Sequence, residues 1–571
     1  MTFAEKLSNK FRMLLPNDSI KDIFFLIIII SLSRILFVFQ IGFYSDDWSF
    51  LEMLYFDKIN IWENYRPGYL ISWKLLYSIF GFSPEGYHLI NTVIFYLNAV
   101  LLYLILKKLR LPHLFVLSIP LVFILIPHYS TFHFWASVIP NHFCLVMCLG
   151  SLLLDLKALE TPIPKFLLWK LISVTAIVVS VLTYELFLPF FYFNLIITYY
   201  YFRKLKTDTI NKKDIRTKKL VWLLVVNFIF LKIALIYKLF FTVTSVRMMG
   251  SDNSFLDHIC GLLANTFRFD YGDYDYGFNI VQAFKINFIE YGIGLPQKLL
   301  HIYSYYPNIQ VFLLSLLLTL IIFGYLFKVV KRYDFTIFKW NSFIKMISVG
   351  LIIFFWGYSI FLTNYSIAFS TTGVANRVLI GVSIGIVIIF IGLFTGISAL
   401  IKNIKFRNIL FSALVTFVCV SGFIINNTIA SFWKEAYKVE NETMDEIKNN
   451  FPYLPGKTKF ILDGICPYIG PAIVFESSWD IGGALRLAYS DTTLQADVIS
   501  PDLQITEEGI ITSIYEVDYF YPYEILIYNF NEKKVFGISN MEEAIKYFET
   551  VDSNFNNTCP EGYETHGVKI F

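Results

Sequence analysis

The stretch FYSDDWSF, Phe43 to Phe50, sets two adjacent aspartates, Asp46 and Asp47, directly after an apolar run that opens at Ile23. Carboxylates at the mouth of such a run mark where a membrane span gives way to water, because an ionised side chain is costly inside the bilayer. A hydrocarbon core of about 30 Å takes about 20 apolar residues per helix, and residues 23–41 meet that requirement. The run lacks a small-residue cleavage site, so it reads as a retained span and not as a cleaved signal.

Ten further stretches qualify or nearly qualify, at about 87–106, 112–127, 138–156, 166–183, 186–202, 220–241, 308–327, 343–362, 378–400 and 408–426. The expected fold is therefore a polytopic α-helical membrane protein with about eleven spans. Composition agrees: of 571 residues 56% are hydrophobic and 16% charged, and a mean hydropathy of +0.58 lies far outside the range of a soluble domain. With the amino terminus in the cytoplasm, the inner segments carry 26 Lys and Arg and the outer loops before residue 378 carry 8. That asymmetry is the positive-inside pattern, and it puts FYSDDWSF on the outer face of the plasma membrane. The basic excess faces anionic lipid, and nothing in it suggests a nucleic-acid partner.

From residue 432 to 571 the apolar runs shorten and charges and turn residues return. KTKFILDG and YPYEILIYNF read as strands and NMEEAIKYFET as a helix, so the expected division is a transmembrane domain over 1–431 and a small extracytoplasmic α/β domain over 432–571. Cys466 and Cys559 belong to the second part and can either pair there or stay free, whereas Cys144, Cys148 and Cys419 fall within spans as packing residues.

The first outer loop, residues 42–86, mixes aromatics and leucines with isolated charges in WSFLEMLYF and PGYLISWKLLYSIFGF, the pattern of helices lying in the membrane interface. Between them NYRPGYL sets Arg66 just before a proline able to open a helix. Two carboxylates and a guanidinium near the headgroup plane are the parts of a general base and a phosphate clamp. Trp48 and Tyr65 flank them as candidate substrate contacts.

The order of a first span, DD just outside it, an interfacial loop with an RP step, a second span ending in LILKKLRLPH, many further spans and an outer soluble domain resembles the GT-C superfamily of glycosyltransferases. The resemblance is to the polyprenyl-phosphate-sugar branch, which includes protein O-mannosyltransferases and bacterial aminoarabinose transferases. It is detailed over residues 20–200 and architectural beyond them. It implies an inverting transfer from a lipid monophosphate sugar on the outer face, with an acidic residue of the first loop as base. This chain carries Asp-Asp where the mannosyltransferases carry Asp-Glu, and their later luminal repeats are not matched, which leaves sugar and acceptor open.

The chemistry needs the same parts. An acceptor hydroxyl attacking an anomeric carbon must lose a proton, and Asp46 or Asp47 can take it. A departing polyprenyl phosphate needs positive charge where its own charge grows, for which Arg66 and Arg377, the latter in STTGVANRVLIG, are the candidates. As bland alternatives, the aspartates cap and solvate a helix start, and the arginines snorkel to lipid headgroups. If both carboxylates crowd one site, like-charge repulsion raises one pKa unless a cation compensates, either Arg66 or a divalent metal; no cofactor is otherwise called for. Glu185 in LTYELFLP is either a site carboxylate or a solvated hairpin tip. His128, His133 and His142 are spaced too loosely for zinc, and His133 is retained as a substrate contact. Asp270, Asp273 and Asp275 in RFDYGDYDYGFN read first as a solvated loop and second as an acceptor contact, while Lys232, Lys238 and Arg34 either line a polar crevice or snorkel. Two rival classes are a flippase or transporter, which needs no outer acidic pair, and a polymer polymerase or ligase, which relies on arginines of a late outer loop.

Overall fold

The structure, a computed structural model, describes residues 17–61, 66–205, 210–248, 279–335, 338–360, 369–499, 503–512, 517–521 and 525–551. Among these, eight helices are long and apolar enough to cross a membrane: Pro84–Lys108, Ala136–Ala158, Ile163–Thr183, Ile215–Tyr237, Ile309–Val330, Trp340–Tyr358, Val374–Ala399 and Ile404–Asn450. His113–Leu125 and Pro127–His133, bent by 61°, make a ninth if taken as one span. The helices Asn17–Arg34 and Leu188–Lys204 stand where the first and sixth spans were expected. They fall outside the count because the first holds Asp18, Lys21, Asp22 and Arg34 and the second is 17 residues long. Each expected span thus overlaps a helix, although the first helix ends at Arg34, short of the expected 41, and among the described residues eight or nine helices rather than eleven meet the length and apolarity of a crossing.

Burial separates a central group of helices from an outer one. The most apolar window of Val374–Ala399 is 89% buried, that of Trp340–Tyr358 only 22%. These two helices touch along glycines: a Cβ on Gly385 would lie 2.5 Å from the Gly350 carbonyl oxygen, and one on Gly350 would lie 2.8 Å from that of Gly385. Small residues let backbones approach where no hydrophobic effect drives association. The bend at residue 126 follows from Pro127, which cannot donate to the helix and forces its predecessor to extend. Ile126 adopts φ −63°, ψ 146°. The Leu125 carbonyl freed there accepts a hydrogen bond from Asn426 Nδ2 at 3.2 Å, and Gly422 leaves room for it.

Buried polar groups inside the bundle are clamped to one another. Asp155 accepts from Lys170 Nζ at 3.1 Å and from Asn227 Nδ2 at 2.6 Å, joining three helices. Arg34, 1% exposed, neither snorkels nor opens on a crevice: it donates from Nε to Thr92 Oγ1 at 2.9 Å and meets His133 Nδ1 at 2.7 Å. Lys232 lies over the Phe228 ring at 5.2 Å, and the Lys238 side chain is outside the described set.

Ile404–Asn450 is one helix of 47 residues that passes through the expected domain boundary at 431. Its start is capped by Asn403, which accepts from Lys405 N at 2.9 Å and Phe406 N at 3.2 Å, and no proline intervenes before Pro452. The change from apolar to charged residues alters its surroundings and leaves the helix intact. At 1.5 Å per residue such a helix spans about 70 Å, more than twice the hydrocarbon thickness, so its last turns stand clear of the membrane and carry the final domain.

That domain has a four-stranded sheet in the order Gln495–Val498, Lys459–Asp463, Ile525–Asn529, Lys534–Ile538, the first three parallel and the last antiparallel. The helices Asp480–Tyr489 and Met541–Thr550 accompany it. Cys466 is disulfide-bonded to a residue outside the described set, while Cys144, Cys148 and Cys419 are free and buried. The stretch expected as a loop over 242–307 holds the helical segments Asn279–Phe284, Lys285–Ile293 and Leu295–Tyr305 in its second part. Asp270, Asp273 and Asp275 lie outside the described residues.

Replacing Gly385 by Val should overpack the contact with Gly350 and cost about 1–3 kcal/mol. The expected outcome is a lower unfolding midpoint in detergent by differential scanning fluorimetry, with Gly324→Val, at a glycine with open space around it, shifting it far less.

Candidate functional site

The two aspartates open a helix, Asp46–Tyr55, whose N-cap is Ser45. Negative charge in a first turn is favoured by the unpaired amides there, which is the bland reason for the pair. Their surroundings differ. Asp47 is fully buried, and both its oxygens are taken: Oδ2 accepts from Tyr44 N at 3.0 Å and Oδ1 from Ser137 Oγ at 2.5 Å. Asp46 is half-buried, and among the described residues no hydrogen bond reaches its oxygens.

Electrostatics follow that division. Burial pushes the Asp47 carboxyl up to about 7; the donors from Ser137 and Tyr44 oppose the rise and the neighbouring charge of Asp46 adds to it. Asp46 is also raised, by burial, against the pull of Arg377. Arg377 belongs to the Val374–Leu379 turn before a central helix. It donates from Nη1 to the Val374 carbonyl at 2.8 Å, and its guanidinium carbon sits 5.0 Å from the Trp135 ring centre. Trp135 in turn donates from Nε1 to the Tyr44 carbonyl at 3.0 Å, so the cation's platform is fixed to the loop that presents the aspartates.

The final domain closes over this loop. Glu476 accepts from Ser45 Oγ and from Tyr468 OH, each at 2.5 Å, and it feels the charges of both Asp46 and Arg377. Asp480 accepts from the amides of Glu476 and Ile481 at 2.6 Å and of Ser477 at 3.1 Å, which fixes the segment. The helix Asp480–Tyr489 packs on Asp46–Tyr55 through Gly483, where a Cβ would stand 2.9 Å from the Trp48 carbonyl. Arg486 Nε lies 3.3 Å from Glu52, and Trp48 Nε1 donates to Glu440 at 3.5 Å. Ser45 adopts φ 48°, a region that costs a non-glycine residue about 1–3 kcal/mol and persists only where surrounding contacts hold it.

The remaining candidates fall elsewhere on the same loops. Arg66 precedes the helix Pro67–Phe80 and is paired with Glu185 through Nη2, with a second contact from Nε at 3.3 Å; its guanidinium lies 4.2 Å from the Tyr184 ring centre. The same helix reaches the aspartates through Tyr69, whose hydroxyl donates to the Ser137 carbonyl at 2.8 Å. His133 is 3% exposed, its ring stacked on Phe95 at 4.4 Å and its Nδ1 on Arg34, a place in the bundle interior. His142 Nδ1 meets Asn91 Oδ1 at 2.8 Å with its ring also against Phe95, and His128 packs beside Tyr291. Tyr65 lies outside the described residues. No three of His, Cys, Asp and Glu among the described residues are arranged to hold a metal ion.

Sequence reasoning overlooked Ser45, Tyr44, Ser137 and Glu476. For the last there was a signal: it follows a strand of an α/β unit, at the carboxyl edge where such sheets place functional loops.

The fold and site define a multi-pass membrane protein in which a folded final domain covers a cluster of carboxylates and a guanidinium at one end of the bundle. No family model matches the chain, and no curated protein matches it. Among solved structures it is similar to ArnT from Cupriavidus metallidurans bound to undecaprenyl phosphate, at 11% identity over 84% of this chain and 86% of that one, with a TM-score of 0.33. The apo state of the same protein aligns at 11% identity over 83% and 84%, with a TM-score of 0.32.

With its carboxyl raised, Asp47 binds a proton in the fold that the unfolded chain has already released, so stability falls as pH rises from about 4 through 7. The unfolding midpoint of the wild type should therefore drop between pH 5 and pH 8, and the drop should shrink in Asp47→Asn. An equal drop in both proteins would remove Asp47 as its source.

Proposed function

We propose that the protein is an outer-face membrane glycosyltransferase that moves a sugar from a polyprenyl-phosphate donor to an extracytoplasmic glycan, lipid or protein acceptor. The observation that carries this reading is Asp46, a half-buried carboxylate with no hydrogen-bond donor among the described residues, raised by burial against the pull of the Arg377 charge at the bundle end covered by the final domain. Sugar nucleotides are made in the cytoplasm, so a transfer outside takes its sugar from a lipid carrier whose phosphate is anionic. The disulfide at Cys466 supports an oxidising exterior for that end.

In this mechanism Asp46 accepts the proton of the acceptor hydroxyl as its oxygen bonds to the anomeric carbon. The bond from that carbon to the phosphate oxygen breaks in the same displacement, inverting the centre, and polyprenyl phosphate departs with the electron pair. Burial suits Asp46 to the task, since a raised carboxyl is a stronger base. Arg377, held over Trp135, offsets the charge gathering on the leaving phosphate. Arg66 guides the donor phosphate, which competes with Glu185 for it. Asp47 holds the helix start in place, and Trp48 and Tyr65 are assigned to the sugar.

Asp46→Asn should lower transfer by about 10²–10⁴-fold with abundance unchanged, the usual range for loss of a general base, and Arg377→Ala by about 10²-fold or more. The assay is transfer from a synthetic polyprenyl-phosphate sugar in nanodiscs. Full activity of Asp46→Asn would remove the proposed base.

A further inference from the structure

The connection from Lys459–Asp463 to Asp480–Tyr489 leaves the sheet at its carboxyl edge and lies against the membrane domain. Open α/β sheets keep their ligand crevices at that edge; here the crevice side is spent on the aspartate loop. Glu476 has a hydroxyl donor on each oxygen, Ser45 on Oε1 and Tyr468 on Oε2. Burial raises the Glu476 carboxyl, and these two hydroxyls and the guanidinium of Arg377 oppose that rise. Ser45 Oγ also receives Trp479 Nε1 at 3.4 Å, so the residue with the strained backbone immediately before Asp46 is gripped entirely by the outer domain.

We propose that Glu476 is a positioning residue for Asp46: through Ser45 it fixes the helix start that aims the base, and as a second carboxylate beside Arg377 it keeps that cation from neutralising Asp46 before a donor arrives. The proposal rests on the reading of Asp46 as base. The outer domain then switches the site on by docking, and a chain with the domain displaced has the base in place but slack and quenched by Arg377. The charged and titratable groups bearing on the pair are Asp47 on the same helix as Asp46, Tyr69 on the helix Pro67–Phe80, Arg377 on its turn, Tyr468 and Asp480 beside Glu476, and Glu440 of the long helix, which interacts with Asp480 and Asp47.

The test uses the full chain in nanodiscs and the pH profile of kcat/KM for transfer from a polyprenyl-phosphate sugar. Glu476→Gln should move the acidic limb about one pH unit lower and reduce the plateau about tenfold, because Asp46 loses the opposing charge and becomes a weaker base. Glu476→Asp should keep the wild-type limb, and Ser45→Ala should lower kcat without moving it. An unmoved limb in Glu476→Gln, or the same displacement in Ser45→Ala, overturns the proposal. The infrared carboxyl band of Asp46, assigned by its loss in Asp46→Asn, is titrated on the same samples without substrate. Its midpoint should fall in Glu476→Gln, and an unmoved midpoint overturns the proposal even if wild-type protein transfers no sugar, a failure that would count against the transferase reading alone.

Discussion

A carboxylate with no exposure to water is tolerated only when both oxygens are hydrogen-bonded, and the architecture of this end of the molecule is built around meeting that demand for Asp47. The two donors it uses come from distant parts of the chain, the amide of Tyr44 beside it and the hydroxyl of Ser137 after the bent helix pair. Tyr44 is itself pinned: its hydroxyl donates to the Trp433 carbonyl at 2.7 Å on the long helix and its carbonyl accepts from Trp135. The first helix, the bent pair and the long helix therefore meet at one buried acid. Its neighbour Asp46, one residue away and on another side of the helix, takes no hydrogen bond from the described residues.

Adjacent identical residues thus have different surroundings because of their direction on the helix. Successive positions on an α-helix do not face the same way, so one aspartate is turned into the fold and the other stays half-buried. The final domain adds to this division through a glycine at the crossing of two helices, a Glu52–Arg486 ion pair and the hydroxyl of Ser45. Buried apolar side chains join it to the bundle as well: Tyr468 and Ile473 pack with Val374, and Val474, Phe475 and Ile481 share one core with the membrane helices.

Much of the fold was legible in the chain because apolar runs and loop charges are local signals. The helices of the bundle, the two short helices of the first outer loop and the strands around Phe460 and Ile527 all lie where periodicity and composition put them. What could not be read is non-local. The long helix runs on past residue 431 because helix formers continue without a breaker, whereas the shift in polarity there suggests a boundary. Asp46 and Asp47 stood out as a pair, but their separate roles depend on Ser137 and Glu476, which lie 90 and 430 residues away in the chain. Arg66 was visible beside its proline; its partner Glu185, 119 residues on, was singled out only as an isolated carboxylate. His133 was read as a substrate contact from its place in the sequence, and the ring it stacks on, Phe95, and its partner Arg34 come from distant parts of the chain.

The central claim is that a lipid-linked phosphate comes to the bundle end that presents Asp46. A cryo-EM map of the full chain in a nanodisc loaded with polyprenyl phosphate tests it most directly. The account predicts phosphate density within hydrogen-bond reach of Arg377, on the side open to Asp46. Density at the opposite end of the bundle, among Lys107, Lys108 and Arg110, would contradict it.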